Sequence, residues 1–288
     1  MKAVLAPITA EDLPAVSMFL HEQLNPRVQE LEWAQALRVP WDVPQPNHGF
    51  FLAEGERVVG AYLAYYSERR VGAETLQVCN LGAWCVLDSH RHQGLRLLTT
   101  LLKQPGYEFT DFSPSGNVIA LNRKLKFTDL DTTTSLVPAV SPGTVLPRRR
   151  GVRVSSRPDV LDSVLQGEER DLYADHRAAA AALHVVLSTG SEHCYVVARK
   201  DTRKGVRAFA SVLYASNPEL LRRHAPRLAS HLLTQHGAAA TLVEHRVAGG
   251  APGGSYRLSR SRPKMLRSDA LDPARVDYLY SELTCLEW

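Results

Sequence analysis

With 288 residues, a net charge of +4, 44% hydrophobic and 22% charged residues, the chain has the size of two domains of about 140 residues each and an ordinary globular composition. No stretch reaches the roughly 20 apolar residues of a membrane span. The run before Pro7 is too short for a signal peptide, so cytoplasmic residence is expected. Cys79, Cys85, Cys194 and Cys285 show no CxxC spacing and are too few for a disulfide framework; no metal centre is expected.

The first half alternates strand and helix signals. Val4–Pro7 is a short apolar run, and Thr9 with Asp12 precedes a helix over Leu13–Leu24. A second helix is expected over Val28–Leu37. Gly49–Ala53 and Arg57–Tyr66 form a hairpin around Glu54-Gly55-Glu56. Thr75–Leu87 is β-rich, and the pattern then changes at Asp88. From Leu95 to Lys103 the apolar positions fall at helical spacing. A strand at Phe109–Phe112, a helix at Asn117–Leu125 and a closing strand at Phe127–Val137 complete this half.

Ser141–Arg150 combines Pro, Gly and Arg without periodicity and is the expected linker, dividing a domain of residues 1–140 from one of 151–288. The second half repeats the order. Pro158–Gly167 and Arg170–Leu187 are expected helices, the latter through its alanine run. Cys194–Arg199 and Val206–Tyr214 form a hairpin. Pro218–Gln235 is a helix with Asn217 as N-cap and Gly237 at its exit. Ala238–Val243 and Ser255–Leu258 are strands. Two copies of one architecture are implied by this order rather than by matching residues. Basic residues cluster at Arg148–Arg153 and between Arg257 and Arg267. The first sits in a solvated linker context and the second alternates like an exposed strand face, so nucleic-acid binding is disfavoured.

The informative segment is Cys85-Val86-Leu87-Asp88-Ser89-His90-Arg91-His92-Gln93-Gly94-Leu95-Arg96-Leu97-Leu98. A strand ends, a loop with one glycine follows, and an amphipathic helix begins. A helix start carries unsatisfied N–H groups and partial positive charge, which suits an anion. Gly94 lets a ligand approach the backbone, while Arg91, Arg96 and His92 add cationic donors. A diphosphate fits such a site. The bland reading, a turn with surface histidines, stands beside it.

This segment resembles the acyl-coenzyme A signature of the GNAT superfamily, Gln/Arg-x-x-Gly-x-Gly/Ala, met here as Arg91-His92-Gln93-Gly94-Leu95-Arg96. The hairpin with Gly60 resembles that family's second and third strands, and Asn122-Arg123-Lys124-Leu125-Lys126-Phe127 its Leu-Tyr-x-Lys-Leu-Gly-Phe ending. The resemblance covers roughly residues 5–137. The second half shares the element order alone, and its junction Tyr214–Glu219 has no glycine loop.

The resemblance implies an α/β (α+β) fold of two GNAT-like domains in tandem, the second degenerate, each a mixed central sheet flanked by helices. It also implies acetyl transfer from acetyl-CoA to an amine of a small molecule or peptide. Coenzyme A would be held by Val86, Arg91, His92, Gln93, Gly94, Leu95, Arg96 and Leu97, with Asn117 and Asn122 along the pantetheine arm. Backbone N–H groups at Ala83–Val86 would polarise the thioester carbonyl. Three departures matter. Arg96 replaces a small residue, and either crowds the diphosphate or reaches the ribose phosphate. Lys126 replaces a glycine. Asn122 replaces the tyrosine that protonates the leaving thiolate, a task asparagine cannot perform; Tyr107 or solvent would then supply the acid, with His90 the candidate base. A non-catalytic GNAT-fold protein that binds a ligand is the alternative.

Overall fold

Two seven-stranded mixed sheets, each covered by helices, make up the α/β architecture of the computed structural model, which describes residues 3–140, 151–203 and 205–287. In the first sheet β1 (Val4–Pro7), β2 (Gly49–Glu54), β3 (Arg57–Val71), β4 (Glu74–Val86) and β5 (Tyr107–Asp111) lie side by side in chain order. Neighbours are antiparallel up to β4, and β4 runs parallel to β5. A parallel neighbour requires a crossover, supplied by α3 (Gly94–Leu101).

The second sheet repeats this scheme. It comprises β8 (Arg153–Ser155), β9 (Leu183–Ser188), β10 (His193–Arg203), β11 (Val206–Ala215) and β12 (Ala240–Glu244). Three antiparallel pairs are followed by a parallel one between β11 and β12, crossed over by α7 (Pro218–His236). The repeated order expected from the sequence is therefore present in the fold.

Each sheet is completed by a strand from the other half. The expected closing strand Phe127–Val137 divides into β6 (Thr128–Asp129), in the first sheet, and β7 (Thr134–Pro138), which pairs with β12 of the second. In return β14 (Met265–Arg267) inserts between β5 and β6, while β13 (Tyr256–Arg257) edges the second sheet beside β7. The chain thus crosses between halves before Ser141–Arg150, the expected linker, which lies outside the described residues.

Helices cover both faces of the first sheet. α1 (Leu13–Gln23) and α2 (Glu30–Leu37) bury Leu13, Val16, Leu20, Trp33 and Leu37 against Ala61, Leu63 and Tyr65. On the opposite face α3 and α4 (Asn117–Lys124) pack with Cys79, Leu81 and Phe109. In the second half, α5 (Pro158–Val164) and α6 (Glu168–His176) precede β9. The expected helix Arg170–Leu187 ends at His176, and its alanine run is a turn. Sheet pairing of β9 between β8 and β10 outweighs the helix propensity of the alanines. α7 begins and ends as expected: Asn217 Oδ1 accepts from Leu220 N at 3.0 Å, and Gly237 adopts φ 72°. The short helices α8 (His245–Ala248) and α9 (Glu282–Cys285) follow.

Candidate active site

β4 and β5 pair from Gln77–Tyr107 to Leu81–Asp111 and then separate. Beyond Leu81, no strand among the described residues lies beside the edge of β4 that faced β5. Within this free stretch Ala83 and Trp84 together oppose Tyr62 of β3, a β-bulge, and Ala83 takes a left-handed φ of 54°. A left-handed alanine costs energy that surrounding packing must offset, and such strain concentrates at functional sites. The fork thus leaves the backbone of Ala83–Val86 along an edge that β5 does not cover, on a strand re-aimed by the bulge.

The segment after β4 differs from an open glycine loop. Asp88–Gln93 forms a 3₁₀ helix that runs directly into α3, and Gly94 N donates to Arg91 O. Gly94 has helical φ/ψ and is buried; a Cβ there would meet Val86 Cγ2 at 3.3 Å and Trp84 Cζ2 at 3.5 Å. Its lack of a side chain therefore serves close packing of α3 on the end of β4. Arg91 pairs with Asp88 at 2.7 Å, both side chains largely exposed, and His92 and Leu95 are exposed beside them. Gln93 and Leu97 point inward: Gln93 Oε1 accepts from Ala3 N, and Leu97 lies in the core. Arg96 Nη1 donates to Ala3 O at 2.8 Å and to Gln93 Oε1 at 2.7 Å. It thus neither crowds the helix start nor extends outward, but ties the helix to the chain's beginning. The two helix starts still differ in character. α3 has no side-chain cap and no acidic residue in its first turn, whereas α7 has the Asn217 cap and Glu219.

Two residues expected to be catalytic lie away from the fork. Tyr107 starts β5, four residues or roughly 13 Å of strand from the fork at Asp111, and packs edge-on against Tyr66. His90 turns toward the β2–β3 hairpin, with Nε2 3.6 Å from Glu54 and Nδ1 2.9 Å from Ser89 Oγ. Asn117 is exposed at the start of α4. Asn122 reaches the fork: it is fully buried and its Nδ2 donates to Asp111 Oδ2 at 2.8 Å. Lys126 explains the glycine of the family pattern. It adopts φ 68° at the end of α4, with Phe127 N bonded to Asn122 O and Lys126 N to Arg123 O, a Schellman ending that favours glycine.

The residue that sequence reasoning missed is Glu282, in α9. Fully buried, it lies on the α1–α2 face of the fork; a Cβ on Gly82 would meet Glu282 Cβ at 3.1 Å. Its N donates to Asn80 Oδ1, and its Oε1 accepts from Ser113 Oγ at 2.8 Å. Oε2 has no hydrogen-bond partner among the described residues. Burial pushes its carboxyl up to about 8, with the Asp111 charge adding to the effect. Asp111 stands toward α4 through Asn122, and burial raises it to about 7. Ser113 links the pair, its N bonded to Asp111 Oδ1. Tyr65 Oη, Trp84 Nε1 and Asn122 Oδ1 nearby are also buried without partners among the described residues. Buried polar atoms of this kind are able to bond a ligand that enters the fork. Burial raises the Cys85 thiol to about 11 and Cys79 further, so neither is a nucleophile.

A cleft of about 870 Å³ between the halves reaches Asn80 and Thr110 at the base of the fork. Its walls carry five carboxylates, Glu68, Glu168, Asp171, Asp272 and Asp277, against three arginines. A second cavity of about 480 Å³ lies beside Ser113.

No protein-family model and no curated protein matches the chain. Solved structures do match. A putative acetyltransferase from Pyrococcus horikoshii is 15% identical, with 96% of this chain and 94% of that one covered and a TM-score of 0.57. A GCN5-related N-acetyltransferase from Anabaena variabilis is 7% identical, covering 92% and 72%, with a TM-score of 0.57. N-myristoyltransferase from Saccharomyces cerevisiae, solved with bound myristoyl-CoA, is 10% identical, covering 100% and 85%, at 0.50. The likeness spans both halves and is one of fold.

Proposed function

The chain has the fold of the GNAT superfamily in both halves, and on that premise we propose that it is an acyl-coenzyme A-dependent acyltransferase working at the β4–β5 fork. The carrying observation is the pair of buried carboxyls there, Glu282 and Asp111, on opposite faces of a strained, unpaired strand edge. Coenzyme A would supply an activated thioester and a thiol leaving group. An acetyl group and an amine acceptor are the simplest partners. The surplus of carboxylates in the large cleft favours a cationic amine approaching from the α1–α2 face.

Glu282 then acts as general base. Its orphaned Oε2 accepts a proton from the bound ammonium, the lone pair so freed attacks the thioester carbonyl, and the nitrogen's second proton passes to solvent as the intermediate collapses; a pKa near 8 suits the ionised carboxylate to this task close to neutral pH. The N–H groups of the β4 bulge stabilise the developing oxyanion. Asp111, on the α4 face, returns a proton to the departing thiolate, the task that Asn122 cannot perform. Two carboxyls held apart in environment take opposite roles.

Binding without turnover is the second reading. It is favoured by the closed 3₁₀ turn, in which Arg91 is paired with Asp88. Acetyl-CoA titrated into the full chain, with thermal shift and free thiol both measured, separates the two. Stabilisation with thiol release on adding amines supports the enzyme, and stabilisation alone supports the binding module. No shift at millimolar ligand removes both.

A further inference from the structure

The two sheets part at matching places. In the first, β4 and β5 last pair at Leu81–Asp111, and β4 bulges at Ala83. In the second, β11 and β12 last pair at Ser211–Leu242. Leu213 is then an extra residue between Val212, opposite Ala198, and Tyr214, opposite Val197, so the bulge recurs at the same distance from the last pair. The second half therefore has a fork of its own. Here a segment of the same chain lies across the opening. Tyr278 N donates to Leu213 O at 3.3 Å, and Tyr278 Oη donates to Glu244 Oε2 at the end of β12. Tyr278 thus ties the bulge of one strand to the end of the other and spans the second fork.

Tyr278 belongs to the strap Asp277–Glu282, which leads from the second fork to the first. Its ring is fully buried, with Phe112 edge-on at 4.8 Å and Lys264 Nζ 3.2 Å from the ring centroid, while Arg246 Nη2 donates to Oη. The main chain hands this placement on. Tyr278 O accepts from Ser281 Oγ at 2.7 Å, and that Oγ accepts from Leu283 N at 3.2 Å, capping the helix α9 that carries Glu282. Tyr280, between them, holds a left-handed φ of 56°, a conformation kept only where the surroundings enforce it. We propose that the second fork is the seat of this strap, and that Tyr278, held there, is the positioning residue that sets where Glu282 stands at the first fork. With Glu282 as general base, the reading on which this role rests, its carboxylate must stay within hydrogen-bond reach of the proton it takes. A displacement of about 1 Å costs on the order of 10²-fold in rate.

The test compares the full wild-type chain with Tyr278→Phe and Tyr278→Leu. Acyl transfer from acetyl-CoA to a panel of primary amines gives kcat, calorimetry gives coenzyme A affinity, and hydrogen exchange read by mass spectrometry follows the strap. Tyr278→Leu, which loses both ring and hydroxyl, should lower kcat roughly 10²-fold. Tyr278→Phe, which keeps the ring, should lower it less. Coenzyme A affinity should stay at the wild-type value in both. Exchange protection over residues 279–285 should be lost in Tyr278→Leu while β2 and β3 keep theirs. Wild-type kcat together with wild-type exchange in Tyr278→Leu overturns the proposal, as does a loss of kcat matched by an equal loss of coenzyme A affinity. Should Tyr278→Leu fail to fold, Tyr278→Phe decides: lower kcat with faster exchange of the strap supports the proposal, and wild-type values of both overturn it. No turnover by wild type with any amine counts against the acyltransferase reading alone. Exchange of the strap then decides whether Tyr278 sets the place of Glu282.

Discussion

Asn80 and Glu282, 202 residues apart, are joined by a hydrogen bond from Glu282 N to Asn80 Oδ1 at 3.2 Å. The contact fastens the end of the second half to the fork of the first. The same segment is held by Arg69 to Asp277 and by Tyr280 N to His176 Nε2. Glu282 is therefore presented by a strap that both halves anchor.

Glu282→Gln keeps the shape and the acceptor for Ser113 but removes the base. Acyl transfer, followed by thiol release, should fall roughly 10²- to 10⁴-fold while coenzyme A affinity is unchanged. Wild-type rate should rise with pH toward about 8, and this limb should vanish in the variant. Full activity in Glu282→Gln would assign the proton transfer to another group.

Stability should fall as pH rises above neutrality. Glu282 and Asp111 have folded values near 8 and 7 against 4.5 and 3.8 unfolded. Raised carboxyl values stabilise the fold fully below the unfolded pKa, and that contribution is lost as pH climbs through the folded one. His176 and His184 work oppositely: burial lowers them to about 4 from 6.5, so their contribution is lost on acidification. The two effects offset each other between about 4.5 and 6.5. Between 6.5 and 8 the carboxyls dominate, at a cost on the order of 1–2 kcal/mol. Denaturant titrations across this range should show the decline, and Glu282→Gln should shrink it. A flat profile in wild type would contradict the buried carboxyls.

The strand exchange predicts how fragments behave. Residues 1–140 alone lack β14, leaving β5 and β6 with exposed edges, and carry β7 without its partner β12. This fragment should aggregate or stay unfolded by circular dichroism and gel filtration. Co-expression with residues 151–288 should restore a folded complex. A monomeric, cooperatively folded 1–140 would show that the exchange is dispensable.

Arg96→Ala should lower stability by about 1–2 kcal/mol through loss of its bonds to Ala3 O and Gln93 Oε1. It should not change the ratio of affinities for coenzyme A and dephospho-coenzyme A. A selective loss of coenzyme A affinity would return Arg96 to the ribose phosphate.

Lys126→Gly should raise stability by about 0.5–1 kcal/mol, because glycine adopts the left-handed φ of 68° without the clash that a Cβ brings. Chemical denaturation measures it directly. A loss of stability would mean that the lysine side chain makes up for its backbone strain.

Local patterns determined much of this protein. Apolar spacing from Leu95 placed α3, Asn217 and Gly237 bounded α7, and the hairpin signal found β2 and β3, since caps and periodicity act within a few residues. They also implied the tandem order and the segment where a phosphate reading begins. The tertiary structure decided the rest. β7 and β14 are short strands whose sheet is chosen by which edge lies open, information that no local window contains. β9 overrode its alanine-rich approach for the same reason. Glu282 has an ordinary sequence neighbourhood; only burial beside Gly82, far away in the chain, raises its pKa and aims it at the fork. A side chain's chemistry is set by its surroundings, and here those surroundings come from the other half of the molecule.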